Sequence, residues 1–176
     1  MDIAVPEAVP VMRPRSSGAD TPAESPAYDL IELFFFAYRD FVSDPDRILG
    51  EYDFGRAHHR VLHFVDRQPG LTIAELLDIL RITKQSLNRV LKELIEKGFI
   101  ESRTGTADRR QRHLHATPQG RNLALKLARL QTGRIHGALA KVDPEAKAAV
   151  SAYLLALIDQ DDRAHVERLV FGGAET

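Results

Sequence analysis

An amphipathic stretch from position 83 to position 98 constrains the fold of this chain more than any other feature. Its apolar side chains recur at steps of three and four, as they do on one face of an α-helix: Leu87, Val90, Leu91, Leu94 and Ile95. Thr83 suits the N-cap of this helix, and Gly98 stands where a left-handed residue is favoured after a helix. The sequence therefore predicts a helix with one face committed to a core.

The opposite face of this helix is polar and, in its first two turns, free of acids. It carries amide, hydroxyl and cationic side chains, namely Lys84, Gln85, Ser86, Asn88 and Arg89. Such groups reach base edges and phosphates in a DNA major groove. The acids Glu93 and Glu96 come only in the second half, whereas an ordinary solvated face more often alternates Glu with Lys. The pattern predicts a recognition helix.

The charge distribution supports this prediction although the total charge does not. The 176 residues hold 24 Lys and Arg against 25 Asp and Glu, a formal charge of −1. Between positions 81 and 115, nine basic residues stand against four acidic ones, so this segment carries +5 and the remainder −6. A basic module on an acidic body is expected where a local surface binds phosphates.

Several protein classes are excluded or disfavoured. The chain has no cysteine, so disulfides and cysteine-ligated zinc are absent. No apolar run reaches the roughly 18 residues that span a bilayer, and the first residues lack the layout of a signal peptide, so we expect a cytoplasmic protein. An enzyme is disfavoured because the sequence shows no nucleophile elbow, no phosphate-binding glycine loop and no clustered carboxylate pair.

The residues around the recognition helix complete a helix-turn-helix and a wing. A helix is predicted from about Arg56 to Gln68, and a capping box of Thr72 and Glu75 opens a short helix over 73–80. A tight turn then leads to Thr83, which is the helix-turn-helix order. Short strands near 99–101 and 113–115, joined by a basic loop, predict a β-wing.

Both ends of the chain are rich in apolar helices. The first, Ala27 to Val42 and ended by Asp44-Pro45, is apolar almost all round and includes Phe34, Phe35 and Phe36. Such a helix must be covered on most faces, by a second subunit in our interpretation, or else by the core of a monomer.

Two further helices are predicted at the C-terminal end, one from Thr117-Pro118 to about Lys141 and one near 144–168. The last helix is expected to bury Ala146, Val150, Tyr153, Leu154, Leu157 and Ile158.

The predicted fold is mainly α with a small β-wing, in the order α1-α2-α3-α4-β-wing-β-α5-α6. Residues 27–52 and 118–168 would form a helical dimerisation region around a winged helix-turn-helix at 53–117. Residues 1–26, with five prolines, and 169–176 would be tails.

Residues from about 27 to 165 resemble MarR-type winged helix-turn-helix repressors. The resemblance is carried by several short runs: Arg60-Val61-Leu62, Pro69-Gly70-Leu71-Thr72, Glu75-Leu76, Ile82-Thr83, Arg89-Val90-Leu91, Leu94 to Ile100, Asp108-Arg109-Arg110 and Thr117-Pro118-Gln119-Gly120. The Asp-Arg-Arg run in the wing is the most specific of these. The chain departs from the family at Ala116, where leucine is usual, and at His58-His59, where many members have glutamine and an aromatic residue.

The resemblance implies a homodimer that binds double-stranded DNA at an inverted repeat. Each subunit would insert the helix from Thr83 into a major groove, while Arg109 and Arg110 would enter a minor groove with Asp108 as their brace. The candidate DNA-binding residues are Thr83, Lys84, Gln85, Ser86, Asn88, Arg89, Arg103, Asp108, Arg109 and Arg110.

The resemblance also implies release from DNA by a small anionic or phenolic ligand bound between the dimer helices and the winged domain. The candidate ligand-binding residues are Tyr38, His59, Arg60 and His63. No cofactor and no metal are predicted. Two alternatives remain: a metal- or haem-responsive regulator, because His59, His63 and Asp66 share a helix face, and an interaction adaptor that does not read DNA sequence.

Overall fold

The computed structural model describes residues 25–104 and 111–172, which form seven helices and three strands. In chain order these are α1 (Tyr28–Gly50), α2 (Arg56–Arg67), β1 (Leu71–Thr72), α3 (Ile73–Leu80), α4 (Lys84–Glu96), β2 (Ile100–Thr104), β3 (Arg112–Ala116), α5 (Pro118–Leu139), α6 (Ala146–Ala156) and α7 (Gln160–Phe171). The prediction of a mainly helical fold with a small β-wing is confirmed.

The strands form one antiparallel sheet in the order β1-β3-β2. Ile100 pairs with Ala116 and Thr104 with Arg112, which is the predicted wing, and Leu71 pairs with Leu114. β1 was not predicted, because a two-residue strand has no alternation and its partner lies more than 40 positions away.

The core lies within the winged helix-turn-helix and is closed from both sides by α1 and α5. Its most deeply buried side chains come from the first five helices, from β2 and β3, and from the residue before β2: Leu49, Val61, Leu62, Val65, Leu76, Leu87, Val90, Leu94, Phe99, Ile100, Leu114 and Leu127. Only the last turns of α1 and the first turns of α5 join this core.

The outer parts of the terminal helices are exposed in the single chain. α1 is exposed from Tyr28 to Arg39, and neither α6 nor α7 holds a buried residue. The prediction that the last helix buries its apolar side chains is therefore wrong for one chain: Tyr153 and Leu154 are each 48% exposed.

The predicted end of the first helix at Asp44-Pro45 is also wrong. α1 continues through Pro45 to Gly50, although proline removes one helical hydrogen bond. Pro45 is buried together with Val42, Ile48 and Leu49. Packing of this last third of the helix against the core outweighs the cost of the proline.

The helix predicted near 144–168 is two helices. Asp159 has extended backbone angles (ψ 139°) and separates α6 from α7. The guanidinium of Arg163 donates to the carbonyls of Ala156 and Ile158, each at 3.1 Å, and so satisfies the backbone groups that the break exposes.

Candidate nucleic-acid interface

α4 presents a polar face to solvent because its other face is fixed in the core. Leu87 and Leu94 are completely buried, whereas Lys84, Gln85, Ser86, Asn88 and Arg89 are all exposed. Ile95, predicted to share the buried face, is 40% exposed at its edge. Five of the predicted contact residues thus lie on one accessible surface.

Hydrogen bonds of the predicted N-cap fix the start of α4. The Thr83 hydroxyl accepts from the Ser86 amide at 3.2 Å and donates to the Ser86 hydroxyl at 2.9 Å. Thr83 therefore fixes the N-terminal end of α4, and Ser86 still has a hydroxyl proton to donate. At the other end Gly98 adopts φ +77°, as predicted for the C-terminal residue.

A histidine bridge holds the second half of α4 against α2. The amide of Gly55 donates to His58 Nδ1 at 3.1 Å, so His58 Nε2 carries the proton and donates to Glu93 at 2.8 Å. The imidazole also stacks on Phe54, with ring centroids 4.6 Å apart. His58 thus positions the recognition helix, a role that the sequence did not reveal because 35 residues separate the pair.

The predicted capping box fixes the helix before the turn. The amide of Thr72 and its hydroxyl donate to Glu75 at 2.8 and 2.7 Å, and Thr72 accepts from the Glu75 amide. Donation by Thr72 holds the pKa of the Glu75 carboxyl below its usual value. α3 then ends at Arg81, which adopts the left-handed conformation with φ +47°.

The base of the wing is clamped to the start of α5. The Thr117 hydroxyl donates to the Gly98 carbonyl at 2.7 Å and accepts from the Gly120 amide at 3.1 Å. Gly120 lies so close to the Phe99 carbonyl that an added Cβ would come within 2.0 Å of its oxygen. The Thr-Pro-Gln-Gly run is thus a structural clamp that orients β2 and β3.

The strands place two arginines on the exposed part of the wing. Arg103, on β2, donates through Nε to Glu101 at 3.1 Å, while Arg112, on β3, is exposed and was not among the predicted contacts. A signal for Arg112 was present, since it is a basic residue in the predicted wing loop. Asp108, Arg109 and Arg110 lie outside the described residues.

Cations of this surface differ in how they are neutralised. Lys92 lies 3.8 Å from Glu96, and Lys97 donates to the Tyr52 carbonyl at 2.6 Å. Lys84 and Arg89 form no ion pair within residues 25–104 and 111–172. The accessible positive charge therefore lies at the N-terminal half of α4, where the helix dipole is also positive.

The predicted ligand residues are divided between two helices. Tyr38 lies on the exposed part of α1, whereas His59, Arg60 and His63 lie on α2, with the two histidine rings 6.5 Å apart and perpendicular. Burial lowers the pKa of His59 and of His63, which favours their neutral forms. The cavities described for residues 25–104 and 111–172 are lined by other residues.

The geometry around these histidines gives no support to a metal site. In the part of the chain that the structure describes, no cluster of three His, Asp or Glu side chains is arranged to hold a metal ion. Asp66 instead lies 3.4 Å from the guanidinium of Arg121. Across these same residues, no helix has the length and apolarity needed to cross a lipid bilayer.

Comparison with known proteins yields a match in sequence and matches in fold. A model of the MarR family matches residues 52–111. The chain is 49% identical over 139 residues to the HTH-type transcriptional regulator PetP of Rhodobacter capsulatus, covering 79% of this chain and 84% of PetP.

Two solved structures show the same fold. That of Streptococcus pneumoniae FabT in complex with DNA matches with a TM-score of 0.64 and 22% identity, over 74% of this chain and 94% of FabT. That of the transcriptional regulator SlyA matches with a TM-score of 0.63 and 19% identity, over 73% of this chain and 91% of SlyA. The extent of the sequence match to PetP, together with the winged fold, shows that this chain belongs to the MarR family of transcriptional regulators.

Proposed function

We propose that this regulator acts as a homodimer that binds an inverted-repeat DNA operator through α4 and represses transcription there. One observation carries the proposal: the capped N-terminal half of α4 presents amides to solvent, together with two cations that form no ion pair among residues 25–104 and 111–172. Its other face is buried in the core. FabT, a structural relative, was solved in complex with DNA, which supports the same use of the fold here.

Each side chain of this surface has a role set by its chemistry. Gln85 and Asn88 suit adenine, because an amide can bond both N6 and N7, and Ser86 can donate to a neighbouring base. Lys84 and Arg89 suit phosphates or guanine. Arg103, Arg109 and Arg110 would bind from the wing, the last two with Asp108 as their brace, as the resemblance implies.

The exposed apolar surface of the terminal helices supports the dimer. In the single chain Leu33, Phe35 and Tyr153 are about half exposed or more, in a set that extends along α1 and α6. Apolar surface on this scale is typical of a subunit interface. We propose the division suggested by the sequence, with 27–52 and 118–168 for dimerisation and 53–117 for DNA. Two recognition helices would then lie roughly 34–36 Å apart.

We further propose that a small anionic or phenolic ligand modulates DNA binding from the junction of α1 and α2. Arg60 is exposed there and suits a carboxylate, while neutral His59 and His63 can bond a phenol. Such a ligand acts only if its affinity differs between two spacings of the recognition helices. The main cavities among residues 25–104 and 111–172 are lined by other residues, so in this proposal the second subunit completes the site.

Selection from random duplexes followed by anisotropy titration tests the DNA proposal. We expect an enriched inverted repeat, and binding that weakens steeply with salt. Asn88→Ala should change the selected sequence more than the total affinity. Arg89→Ala should reduce the slope of log affinity against log salt by about one.

Lys92→Ala is the matched control for Arg89, because it removes an exposed cation from the same helix beyond the proposed contact surface. It should leave the slope unchanged. Failure of the parent protein to bind any duplex in dilute buffer would overturn the proposal and favour an interaction adaptor. Equal slopes for the parent and both variants would remove Arg89 from the interface.

A further inference from the structure

α7 packs against the helix-turn-helix of its own chain. Val166 and Leu169 of α7 line a small cavity of about 240 Å³ together with Phe64 of α2 and Ile79 of α3. These apolar side chains from three helices face one another, and Val166 and Leu169 are half-buried there. The apolar area that they cover favours the seating of α7 on the helix-turn-helix.

Polar contacts join the same two surfaces. The guanidinium of Arg81 bonds the Asp162 carboxylate, which is largely covered, and His165 Nε2 lies 3.7 Å from Asp78. The first of these contacts reaches the turn itself, since Arg81 is the residue that ends α3.

Arg81 has a backbone conformation that non-glycine residues rarely adopt. Its φ of +47° is left-handed, and its amide donates to the Leu77 carbonyl at 2.9 Å. Two residues later Thr83 caps α4. Any contact that holds Arg81 in place therefore also restricts the angle at which α4 leaves α3.

We propose that Asp162 is a positioning residue for the recognition helix: through Arg81 it couples the seating of α7 to the presentation of α4. The expected effect on DNA binding rests on the proposed function. The expected effect on the turn between α3 and α4 does not. A signal that displaces α7 would loosen the turn and weaken DNA binding, which makes the C-terminal helix a regulatory element.

The charge of Asp162 has a second effect that an experiment must separate. A carboxylate near the DNA-binding surface repels phosphates, so its removal by itself favours binding. Asp161 provides the matched control, because it lies in the same first turn of α7 and is exposed. Asp161→Asn and Asp162→Asn lose the same charge, and only the second removes the ion pair with Arg81 and leaves a weaker, neutral acceptor in its place.

Two measurements compare these variants in the full chain. Hydrogen exchange without DNA reports on the amide of Arg81, which is protected by its bond to the Leu77 carbonyl, and we expect faster exchange in Asp162→Asn than in Asp161→Asn. Anisotropy on the selected duplex should show about three-fold weaker binding by Asp162→Asn than by Asp161→Asn, the size expected when one exposed ion pair is lost. The swap Arg81→Glu with Asp162→Arg should restore slow exchange relative to either single change.

The outcomes distinguish the positioning role of Asp162 from the proposed DNA-binding function. Equal exchange rates in the two Asn variants, or tighter DNA binding by Asp162→Asn than by Asp161→Asn, would overturn the positioning role. If the parent protein binds no DNA, the proposed function fails, while the exchange comparison still decides whether α7 holds the turn.

Discussion

The winged helix-turn-helix and the terminal helices use similar apolar residues in opposite ways. Leu76, Leu87 and Leu94 in the winged part have no exposed surface, whereas Leu33 and Phe35 in α1 are 64% and 63% exposed. One region is complete within a single chain. The other has apolar side chains that this chain does not cover.

The difference between the two regions follows from the pattern of their apolar residues rather than from the number of those residues. In α4 they occupy one face, because a helix at the edge of a core needs only one apolar stripe. In the first half of α1 they occur all round, including three consecutive phenylalanines. One-faced patterns thus identify the domain core, and all-round patterns identify surface that a second chain is expected to cover.

The largest effect is expected in the winged helix-turn-helix, at the point where α5 comes closest to the wing. Gly120→Ala places a Cβ 2.0 Å from the Phe99 oxygen, a backbone atom that cannot yield without moving β2. We expect a loss of about 4 kcal/mol in the free energy of unfolding, at the upper end for single substitutions. Urea denaturation followed by circular dichroism measures it. A loss below about 1 kcal/mol, the typical cost of a point substitution, would show that the clamp between α5 and the wing is loose.

The next largest effect is expected in the terminal helices, whose apolar side chains are exposed in the single chain. Phe35→Ser should shift the protein from dimer to monomer in sedimentation at micromolar concentration, because an anchoring aromatic side chain contributes about 2 kcal/mol and is lost on both subunits. Phe171→Ser is the control, since Phe171 is similarly exposed, at 58%, but lies at the end of α7. Dimers of equal strength in both variants would place the interface away from α1.

Sequence reasoning succeeded where a structure depends on neighbours within four positions. The capping box at Thr72 and Glu75, the N-cap at Thr83 and the left-handed Gly98 were all predicted and found. Family membership likewise confirms the prediction of a transcriptional regulator rather than an enzyme.

Prediction from the sequence failed where contacts between residues far apart in the chain determine the structure. Pro45 is kept inside a helix whose last turn packs into the core through Ile48 and Leu49, and Arg163 bonds carbonyls on the far side of the break before α7. The bridges from His58 to Glu93 and from Arg81 to Asp162 join residues 35 and 81 positions apart. No local periodicity encodes such pairs, so both positioning roles became visible only in three dimensions.

A smaller effect is expected from pH at the boundary between the two regions. Burial lowers the pKa of His59 and His63 below the ordinary 6.5; Asp46 opposes this at His59, and Arg67 reinforces it at His63. The unfolded chain therefore binds protons more readily than the folded one. Stability should fall as the pH drops below 6.5, and level off below the lowered pKa values.

The double variant His59→Asn with His63→Asn should flatten this dependence in urea titrations between about pH 7 and pH 5, a range that spans the unperturbed pKa of histidine. His136→Asn, at an exposed position on α5, is the control for the substitution itself. If the stability of the parent protein does not fall on acidification, these histidines are not desolvated in the folded state. The boundary between the two regions is then not sensitive to pH.

The smallest effect separates the two regions within one helix. Gly133 lies in α5, thirteen residues after Gly120, and an added Cβ there meets nothing within 4 Å in the single chain. Alanine should therefore stabilise the protein by about 0.5–1 kcal/mol through helix propensity alone, measured as in the Gly120 experiment. Within the proposed dimerisation region, this expectation places the partner's close contacts on α1 and α6 and not at Gly133 of α5. A loss of stability at Gly133, reversed when Phe35→Ser dissociates the dimer, would instead show that α5 approaches its partner closely at this glycine, and the uncovered region would have to be extended to include it.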